Sequence, residues 1–591
     1  MRWALFLFAG LCFAENGLVL TPQATSVGVG QEFSVQARIH MNLSRIVVAE
    51  IRLHHSAGLE FLGFESPASD FSIYVAPAYS YNAETGNLHW VEGQPNPGHG
   101  GPGIRSLVLK FRAVSVGAQT IEYAHQEGST EDSNLFKLGN PPQDALDFVE
   151  TLTIQVTEQA PALQWYFPKT WASDGSVDLV LVNGNQATSI TPRRFNASGT
   201  ELASLPSISL NANQIQSLSL PADWASDDFL LIESSDLVGG YAFYRSNDGE
   251  RMSSYEMTHA QFETLIPHVA QNRNQFETTA TLVRTESREN MQTQFFFAES
   301  ESTWSNTARL SVNFNLTYPD FLPQWGSVAE SRYRIPFAGI EEFGRNDATA
   351  PQTVALALDG ETGTHLLFPH VAKNLVVFWT GLVLNNVSRQ ANTVQLTAYY
   401  DQGQATVLPA INLPGQQKVT VLFQADSNGN AQTITNPTYS IQLPTNTDWV
   451  EVTGSQRLAG YTLFGDRSNQ FMAGFQSAKA ATSELTYPNI YRGDNRFTGF
   501  AVVNTSAEAV ACDVLLRTAD GSLIRQFELT FPAHSKRIAL DSAFLDGAAL
   551  DPTTQSVQIR QKSGSPALSG FELTGDLNER KQLAGQLAIA Q

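Results

Sequence analysis

A proline-led motif that returns four times constrains the fold of this chain more than any other feature of its sequence. Each copy sets the proline after an aromatic or aliphatic residue and before a polar one. The copies are WYFPKTWA, LIPHVA, LFPHVA and TYPNIYRG, which contain Pro168, Pro267, Pro369 and Pro488. Successive prolines lie about 100 to 120 residues apart, a length typical of one β-sandwich domain. A fixed period of this kind predicts a series of related domains.

Further elements recur inside these units. A strand that ends in asparagine follows the proline in VDLVLVN, WTGLVLNN and FTGFAVVN, whereas the second unit has TTATLVRT. Hairpins are predicted around Gly199, Gly403 and Gly521. Each unit closes on a glycine before alternating apolar residues, at Gly240, Gly339, Gly460 and Gly570. We interpret this closing glycine as a bulge or a close strand crossing.

The alternation of apolar and polar residues with period two predicts an all-β chain. We expect a β-sandwich followed by four repeated β-sandwich domains. The predicted repeats cover residues 163–259, 263–362, 365–480 and 484–591, and the second is degenerate. They look similar to the immunoglobulin-like and fibronectin-like modules of exported bacterial proteins, without matching one named family.

The histidines of LIPHVA and LFPHVA raise the question of a metal or catalytic pair. His268 and His370 occupy the same place in two units, but Lys169 and Asn489 hold that place in the other two. The unit therefore requires a polar residue and does not require imidazole. We interpret the motif as the boundary between repeats, with the prolines at strand entries, where strands begin.

No other segment predicts a metal site or a cofactor. The chain has no His-Glu-x-x-His and no Cys-x-x-Cys pattern. DSNGN begins like a calcium loop at Asp426, but Ala431 and Pro437 stand where that loop needs glycine and glutamate. We predict a polar turn there, no bound metal and no cofactor.

The domain predicted over residues 18–158 has an ordered set of strand signals. SVGVGQEFSVQARI opens it, GIRSLVLKFRAVSVGAQTIE follows, and TLTIQV closes it. This order resembles cohesin domains and the related carbohydrate-binding-module superfamily, with matching elements at Val27 to Gly30, Gly103 to Ala113 and Gly117 to Ile121. The resemblance implies a jelly-roll sandwich that recognises a dockerin-like protein partner or a polysaccharide.

Aromatic residues are concentrated in FSIYVAPAYSYNAETGNLHW within that domain. Aromatic rings offer large rigid surfaces that stack on sugars or anchor protein interfaces. The candidate binding residues are Tyr79, Tyr81 and Trp90. The alternative for Trp90, as for Phe71, is a place in the sandwich core.

Composition and the N-terminus indicate the class of partner and the location of the protein. A net charge of −21 opposes nucleic acid as a partner. Arg2 followed by an apolar run up to Ala14 predicts a secretory signal peptide over residues 1–14, and no other run is long enough to predict a transmembrane segment. We expect a secreted protein, extracellular or at the cell surface, with the periplasm as the alternative. Cys512 is the second of two cysteines and is predicted to be a buried apolar residue.

The sequence therefore favours a secreted, non-enzymatic recognition protein in an extracellular polysaccharide-related system. Its cohesin-like module binds carbohydrate or a protein partner, and the repeats act as a spacer or as further binding surfaces. One alternative is a structural or adhesive spacer of the cell surface. The other is a secreted polysaccharide-active enzyme with a site assembled from loops.

Overall fold

A computed structural model describes residues 16–590 except for the following gaps: 41–44, 66–68, 100–103, 127–128, 130, 140–142, 159–161, 171–174, 221–223, 226, 248, 250, 262, 270–275, 286–290, 298–299, 307–310, 316–325, 331–334, 346–351, 359, 361, 401–402, 469, 492–495 and 577–582. The predicted signal peptide lies outside the described residues. The described residues contain strands and no helix, so the chain is all-β. The chain divides into two compact units, the first with residues 1–161 and 299–301 and the second with residues 162–298 and 302–591.

The described residues of the first unit form a β-sandwich of thirteen strands. They are β1 Gly17–Pro22, β2 Ser26–Gly28, β3 Glu32–His40, β4 Ile46–His55, β5 Leu59–Glu65, β6 Ile73–Asn82, β7 Asn87–Gly93, β8 Ile104–Ala113, β9 Gly117–Tyr123, β10 Asn134–Lys137, β11 Gln143–Asp144, β12 Phe148–Val149 and β13 Thr151–Thr157. One sheet has the order β12-β1-β3-β8-β5. The other has the order β11-β10-β4-β9-β13-β2, and the β6–β7 hairpin joins it where β7 pairs with β4.

The core of this sandwich follows from the alternation in the sequence. In β3, Phe33, Val35, Ala37 and Ile39 are buried while the residues between them are half-buried. The same rule turns apolar residues of β4, β8 and β9 inward, and these side chains fill one continuous core. The first unit is thus the jelly-roll sandwich that the sequence predicts.

The second unit contains four groups of strands. The first repeat has β14 Leu163–Phe167, β15 Gly175–Asn183, β16 Thr188–Ile190, β17 Arg193–Phe195, β18 Glu201–Ser204, β19 Ile208–Leu210, β20 Ile215–Ser219, β21 Phe229–Ser234, β22 Leu237–Ser246 and β23 Met252–Glu256. The second has β24 Glu263–Ile266, β25 Phe276–Arg284, β26 Met291–Phe297, β27 Ser300–Asn306, β28 Ser311–Asn315, β29 Gly326–Glu330, β30 Phe337–Arg345 and β31 Gln352–Ala357.

The other two repeats continue the same plan. The third has β32 Gly363–Phe368, β33 Phe378–Asn386, β34 Asn392–Tyr400, β35 Gln404–Val407, β36 Ile411–Leu413, β37 Lys418–Ala425, β38 Ala431–Asn436, β39 Thr447–Asp466 and β40 Met472–Gln476. The fourth has β41 Glu484–Tyr487, β42 Arg496–Asn504, β43 Val510–Arg517, β44 Leu523–Phe531, β45 Lys536–Leu540, β46 Ser556–Gln561, β47 Leu568–Asp576, β48 Leu583–Leu587 and β49 Ile589–Ala590.

One sheet has the same design in each repeat. Its order is β20-β15-β22-β23 in the first, β28-β25-β30-β31 in the second and β45-β42-β47-β48 in the fourth. In the third repeat, β37, β33, β39 and β40 take these places. There the 20-residue strand β39 also pairs with β32 and β34, so both layers join into a single nine-stranded sheet.

The prolines end strands and do not begin them, which corrects the prediction of strand entries. Pro168, Pro267, Pro369 and Pro488 directly follow β14, β24, β32 and β41. Proline has no N–H with which to continue a ladder, so it is suited to stopping one. The hairpin turns are formed with positive φ at Gly199, Gly403 and Gly521, and DSNGN is the predicted polar turn, in which Asp426 accepts hydrogen bonds from the backbone of Asn428 and Asn430.

The repeated asparagine fastens the loop beside its strand. Asn504 is fully buried, and its Nδ2 donates to the carbonyls of Glu508, Phe531 and Pro532 at 2.7, 3.1 and 2.9 Å. Asn386 makes three matching bonds and Asn183 makes two. The second repeat has Arg284 at this place, which agrees with its divergence from the common pattern.

Replacing Asn504 by alanine is expected to lower the free energy of unfolding by about 2–3 kcal/mol, because buried carbonyls lose their donor. Chemical denaturation of the full chain measures the change. The exposed Asn428 is the control, since Asn428→Ala removes a solvated side chain. Equal stability of the two variants would contradict the fastening role.

The four repeats close into a ring. The edge strands β23, β31, β40 and β48 are the last strands in the four sheet orders given above. Each contacts the next in this order, and β48 contacts β23. Ala355 donates its backbone N–H to Ser253 at 3.1 Å between the first two repeats. The Ser254 hydroxyl donates to the Gly585 carbonyl at 3.3 Å between the last repeat and the first. The repeats therefore form one closed assembly within the second unit.

Candidate functional site

Four aromatic rings form a cluster that runs from the core of the first unit to its surface. Phe61 and Phe64 lie on β5, and Tyr79 and Tyr81 lie on β6. The ring centroids are 4.8 Å apart for Phe64 and Tyr79, 5.2 Å for Phe61 and Phe64, and 5.0 Å for Phe61 and Tyr81. Tyr79 is 44% exposed, whereas Phe61 is buried. We call these four residues the aromatic edge.

The aromatic edge lies between two strands that end their sheets. In the described part of the first unit, β5 pairs only with β8, and β6 pairs only with β7. Each strand therefore has one side without a neighbouring strand, and such a side is able to pair with another chain. The edge combines an apolar surface with unpaired strand sides.

Tyr81 is fixed by a histidine of β4, the strand on the other side of β7. His55 Nδ1 lies 3.1 Å from the Ser56 carbonyl, so this nitrogen is the donor. His55 Nε2 then accepts from the Tyr81 hydroxyl at 3.1 Å. Burial lowers the pKa of His55 and so favours this neutral ring. Tyr81 is half-buried and orders the edge, while Tyr79 is its most exposed ring.

Trp90 belongs to the core and not to the binding candidates. It is 1% exposed, and Phe71 is fully buried. The indole Nε1 donates to Glu92 Oε1 at 2.6 Å and to the Ser106 hydroxyl at 3.2 Å. This burial supports the core interpretation of Trp90 and corrects its inclusion as a binding residue. Tyr74 has a side chain outside the described residues.

Glu92 is the centre of a buried polar group that the sequence reasoning missed. Its carboxyl group accepts from Trp90 and also from the hydroxyls of Ser69 and Ser106. Burial raises the pKa of Glu92, although these hydrogen bonds oppose the shift. Both serines are buried, so the group organises the sandwich interior. Its signal was the period-two register of Leu88, Trp90 and Glu92, which turns all three inward.

The repeated histidines lie at two different interfaces of the ring. His268 Nδ1 lies 2.9 Å from the Lys418 ammonium in the third repeat. His370 Nδ1 lies 3.1 Å from the Lys536 ammonium in the fourth. When the lysine is protonated it only donates, and each Nδ1 is then the acceptor. Burial lowers the pKa of both histidines well below the usual value, and the neighbouring lysine lowers it further.

The other two residues that follow a motif proline make equivalent contacts. The Lys169 ammonium lies 2.5 Å from Glu342 in the second repeat. Asn489 lies close enough to Tyr241 of the first repeat to oppose the rise that burial causes in the pKa of this tyrosine. The polar residue after the proline therefore joins each repeat to the next. In the described part of the chain, no group of three or more His, Cys, Asp or Glu side chains is arranged to hold a metal ion.

The joint occurrence of histidine in one repeat and lysine in the next was the sequence signal that could have predicted these interfaces. Lys418 follows PGQQ and Lys536 follows PAHS, at the same place in their units. Each comes one repeat after a unit that carries histidine. The other two repeats have Ser311 and Ile215 at this place, as the strand register shows. Histidine and lysine thus occur together across neighbouring units, which indicates contact between them.

No protein-family model and no curated protein sequence match the chain. Solved structures similar to part of it are cohesin domains. A type II cohesin from the cellulosome of Acetivibrio cellulolyticus has 10% identity and a TM-score of 0.19, over 24% of this chain and 95% of that one. A type I cohesin–dockerin complex from Clostridium thermocellum has 9% identity and a TM-score of 0.19, over 24% of this chain and 99% of that one. Type II cohesin A11 from Bacteroides cellulosolvens has 11% identity and a TM-score of 0.19, over 24% of this chain and 99% of that one. The likeness is to a cohesin-like fold over part of the chain, so function is argued from the geometry.

The described residues include no helix of the length and apolarity that crossing a membrane would require.

Proposed function

We propose that the first unit is a non-catalytic recognition module of a secreted protein and that it binds a partner protein through the aromatic edge. The observation that carries the proposal is the 44% exposure of Tyr79 above a supporting layer of Phe61, Phe64 and Tyr81. A rigid aromatic ring held by others loses little conformational entropy when it is covered. Such anchors dominate binding energy at protein interfaces.

The strand sides beside the edge favour a polypeptide over a glycan as the ligand. An extended segment of a partner is able to add to β5 or β6 through backbone hydrogen bonds while an apolar side chain of that segment covers Tyr79. A dockerin-like partner is one candidate for this role. The net charge of −21 favours a neutral or basic partner segment.

The arrangement of the repeats weighs against the spacer alternative. A linear series of four sandwiches would hold the first unit far from an anchor. Contacts between β48 and β23 close the repeats into a ring, which gives up most of that length. We therefore assign recognition to the first unit and a compact scaffold to the second.

Tyr79→Ala in the full chain is expected to weaken partner binding about tenfold, which corresponds to about 1.4 kcal/mol. Exported proteins retained by the wild-type chain are identified and then titrated against each variant by calorimetry. Leu138→Ala is the matched control, because Leu138 is 54% exposed and follows β10, on the side of β4 opposite the β6–β7 hairpin.

Two outcomes would overturn the proposal. Unchanged affinity of Tyr79→Ala for every retained protein would remove the edge as the protein-binding surface. Binding of soluble polysaccharide by the wild type that is lost in Tyr79→Ala and kept in Leu138→Ala would replace the protein partner with a carbohydrate.

A further inference from the structure

A cavity of about 550 Å³ lies at the centre of the ring in the second unit. Each repeat supplies the same positions of its edge strand to the wall of the cavity. These are Ser254 to Glu256, Ala355 to Ala357, Gly474 to Gln476 and Gly585 to Leu587. Small residues, Ser254, Ala355, Gly474 and Gly585, occupy the first of these positions in all four repeats. The volume is in the range of small-molecule sites.

Hydrogen bonds between repeats hold the wall in place. The Gln476 side chain of the third repeat donates to the Ala357 carbonyl of the second. The Ser254 hydroxyl donates to the Gly585 carbonyl at 3.3 Å. The cavity is therefore preformed, and a ligand entering it does not have to order the wall. Ala480 is exposed and lines the cavity, so it marks a place where the cavity meets solvent.

The chemistry of the wall fits an uncharged ligand with both C–H and hydroxyl groups. Apolar surface comes from residues such as Ala355, Phe475 and Leu587, and amide or hydroxyl groups come from residues such as Gln261 and Thr482. The lining includes one carboxylate, from Glu256, and one ammonium, from Lys479, together with His259. A wall with nearly balanced charge does not select an ion.

We propose that the cavity of the ring binds a small uncharged polyol of mono- or disaccharide size. This site belongs to the second unit and does not depend on the function proposed for the aromatic edge.

Calorimetric titration of the full chain tests the proposal. The uncharged probes are glucose, cellobiose and maltose, and the charged probes are glucuronate and glucosamine. At least one uncharged probe is expected to bind saturably, and the charged probes at least tenfold more weakly. Ala480→Trp places an indole at the opening and is expected to weaken binding at least tenfold.

Ala507→Trp is the control, since Ala507 is an exposed turn residue of the fourth repeat outside the cavity lining. The proposal is overturned if no uncharged probe binds at about 10 mM, which is tenfold above a Kd of about 1 mM. It is equally overturned if a charged probe binds more tightly, or if Ala480→Trp and Ala507→Trp bind alike.

Discussion

Gly460→Ala is expected to destabilise the second unit by about 3 kcal/mol, near the upper end of the effect of overpacking. A Cβ at Gly460 would lie 2.6 Å from the Val383 carbonyl oxygen and 3.0 Å from the Phe368 ring. The carbonyl is part of β33, which pairs with β39 on both sides of this point. Backbone in a central ladder is unable to move aside as a flexible side chain does, so the two strands must separate.

The same crowding explains why every repeat closes on glycine. Added Cβ atoms at Gly240, Gly339 and Gly570 would meet the carbonyls of Val180, Thr281 and Ala501 at 2.4, 3.0 and 2.7 Å. These glycines mark a close approach of two paired strands, at places where the sequence predicts a bulge or a close strand crossing. The requirement is steric, since a methyl group has no room between the paired strands.

Gly381→Ala is the matched control for Gly460→Ala. Gly381 lies on β33 in the same repeat, and a Cβ there would come no closer than 3.7 Å to Trp379, an ordinary contact. We expect this variant to unfold at the same denaturant concentration as the wild type or slightly higher. If both variants unfold alike, crowding does not explain the closing glycine.

Lys418→Met is expected to change how stability depends on pH. Lys418 is 5% exposed. Burial lowers its pKa from 10.5 to about 7, although Glu341 partly opposes the shift. Between pH 7 and 10.5 the unfolded chain binds a proton at this lysine that the folded chain does not bind. The unfavourable contribution of Lys418 is therefore complete below pH 7 and decreases as the pH rises towards 10.5.

The measurement is the free energy of unfolding of both proteins from pH 7 to 9.5. The free energy of unfolding of the wild type minus that of Lys418→Met is expected to increase by about 1.4 kcal/mol per pH unit. Burial raises the pKa of Glu341 to about 8. Both proteins keep Glu341, and loss of the lysine raises the pKa of Glu341 further. This makes the difference in free energy of unfolding between the wild type and Lys418→Met increase with pH as well.

Lys562→Met is the control for the pH series. Lys562 is an exposed lysine whose hydrogen bond to Glu528 raises its pKa, so it stays charged in both states over this range. A constant difference between the wild type and Lys418→Met would show that Lys418 is not held neutral by burial.

Much of the candidate site could be predicted only in outline. The density of tyrosines in FSIYVAPAYSYNAETGNLHW indicated the aromatic edge, and Tyr79 and Tyr81 are on it. The inward position of Trp90 agrees with the period-two register of Leu88, Trp90 and Glu92 in β7. The faces of Tyr79 and Tyr81 could not be obtained by counting by twos from the start of β6, because the β6–β7 pairing shifts between Tyr74 and Tyr79.

The sequence by itself determined the strands, the four-fold repeat and the polar position after each proline, because these depend on local alternation and on spacing along the chain. Only the tertiary structure decided that the repeats close into a ring. That closure depends on contacts between β23, β31, β40 and β48, which are about 100 residues apart, and on side chains such as His268 that reach Lys418 in the next repeat. A strand pattern predicts which face is buried and does not predict which neighbour buries it.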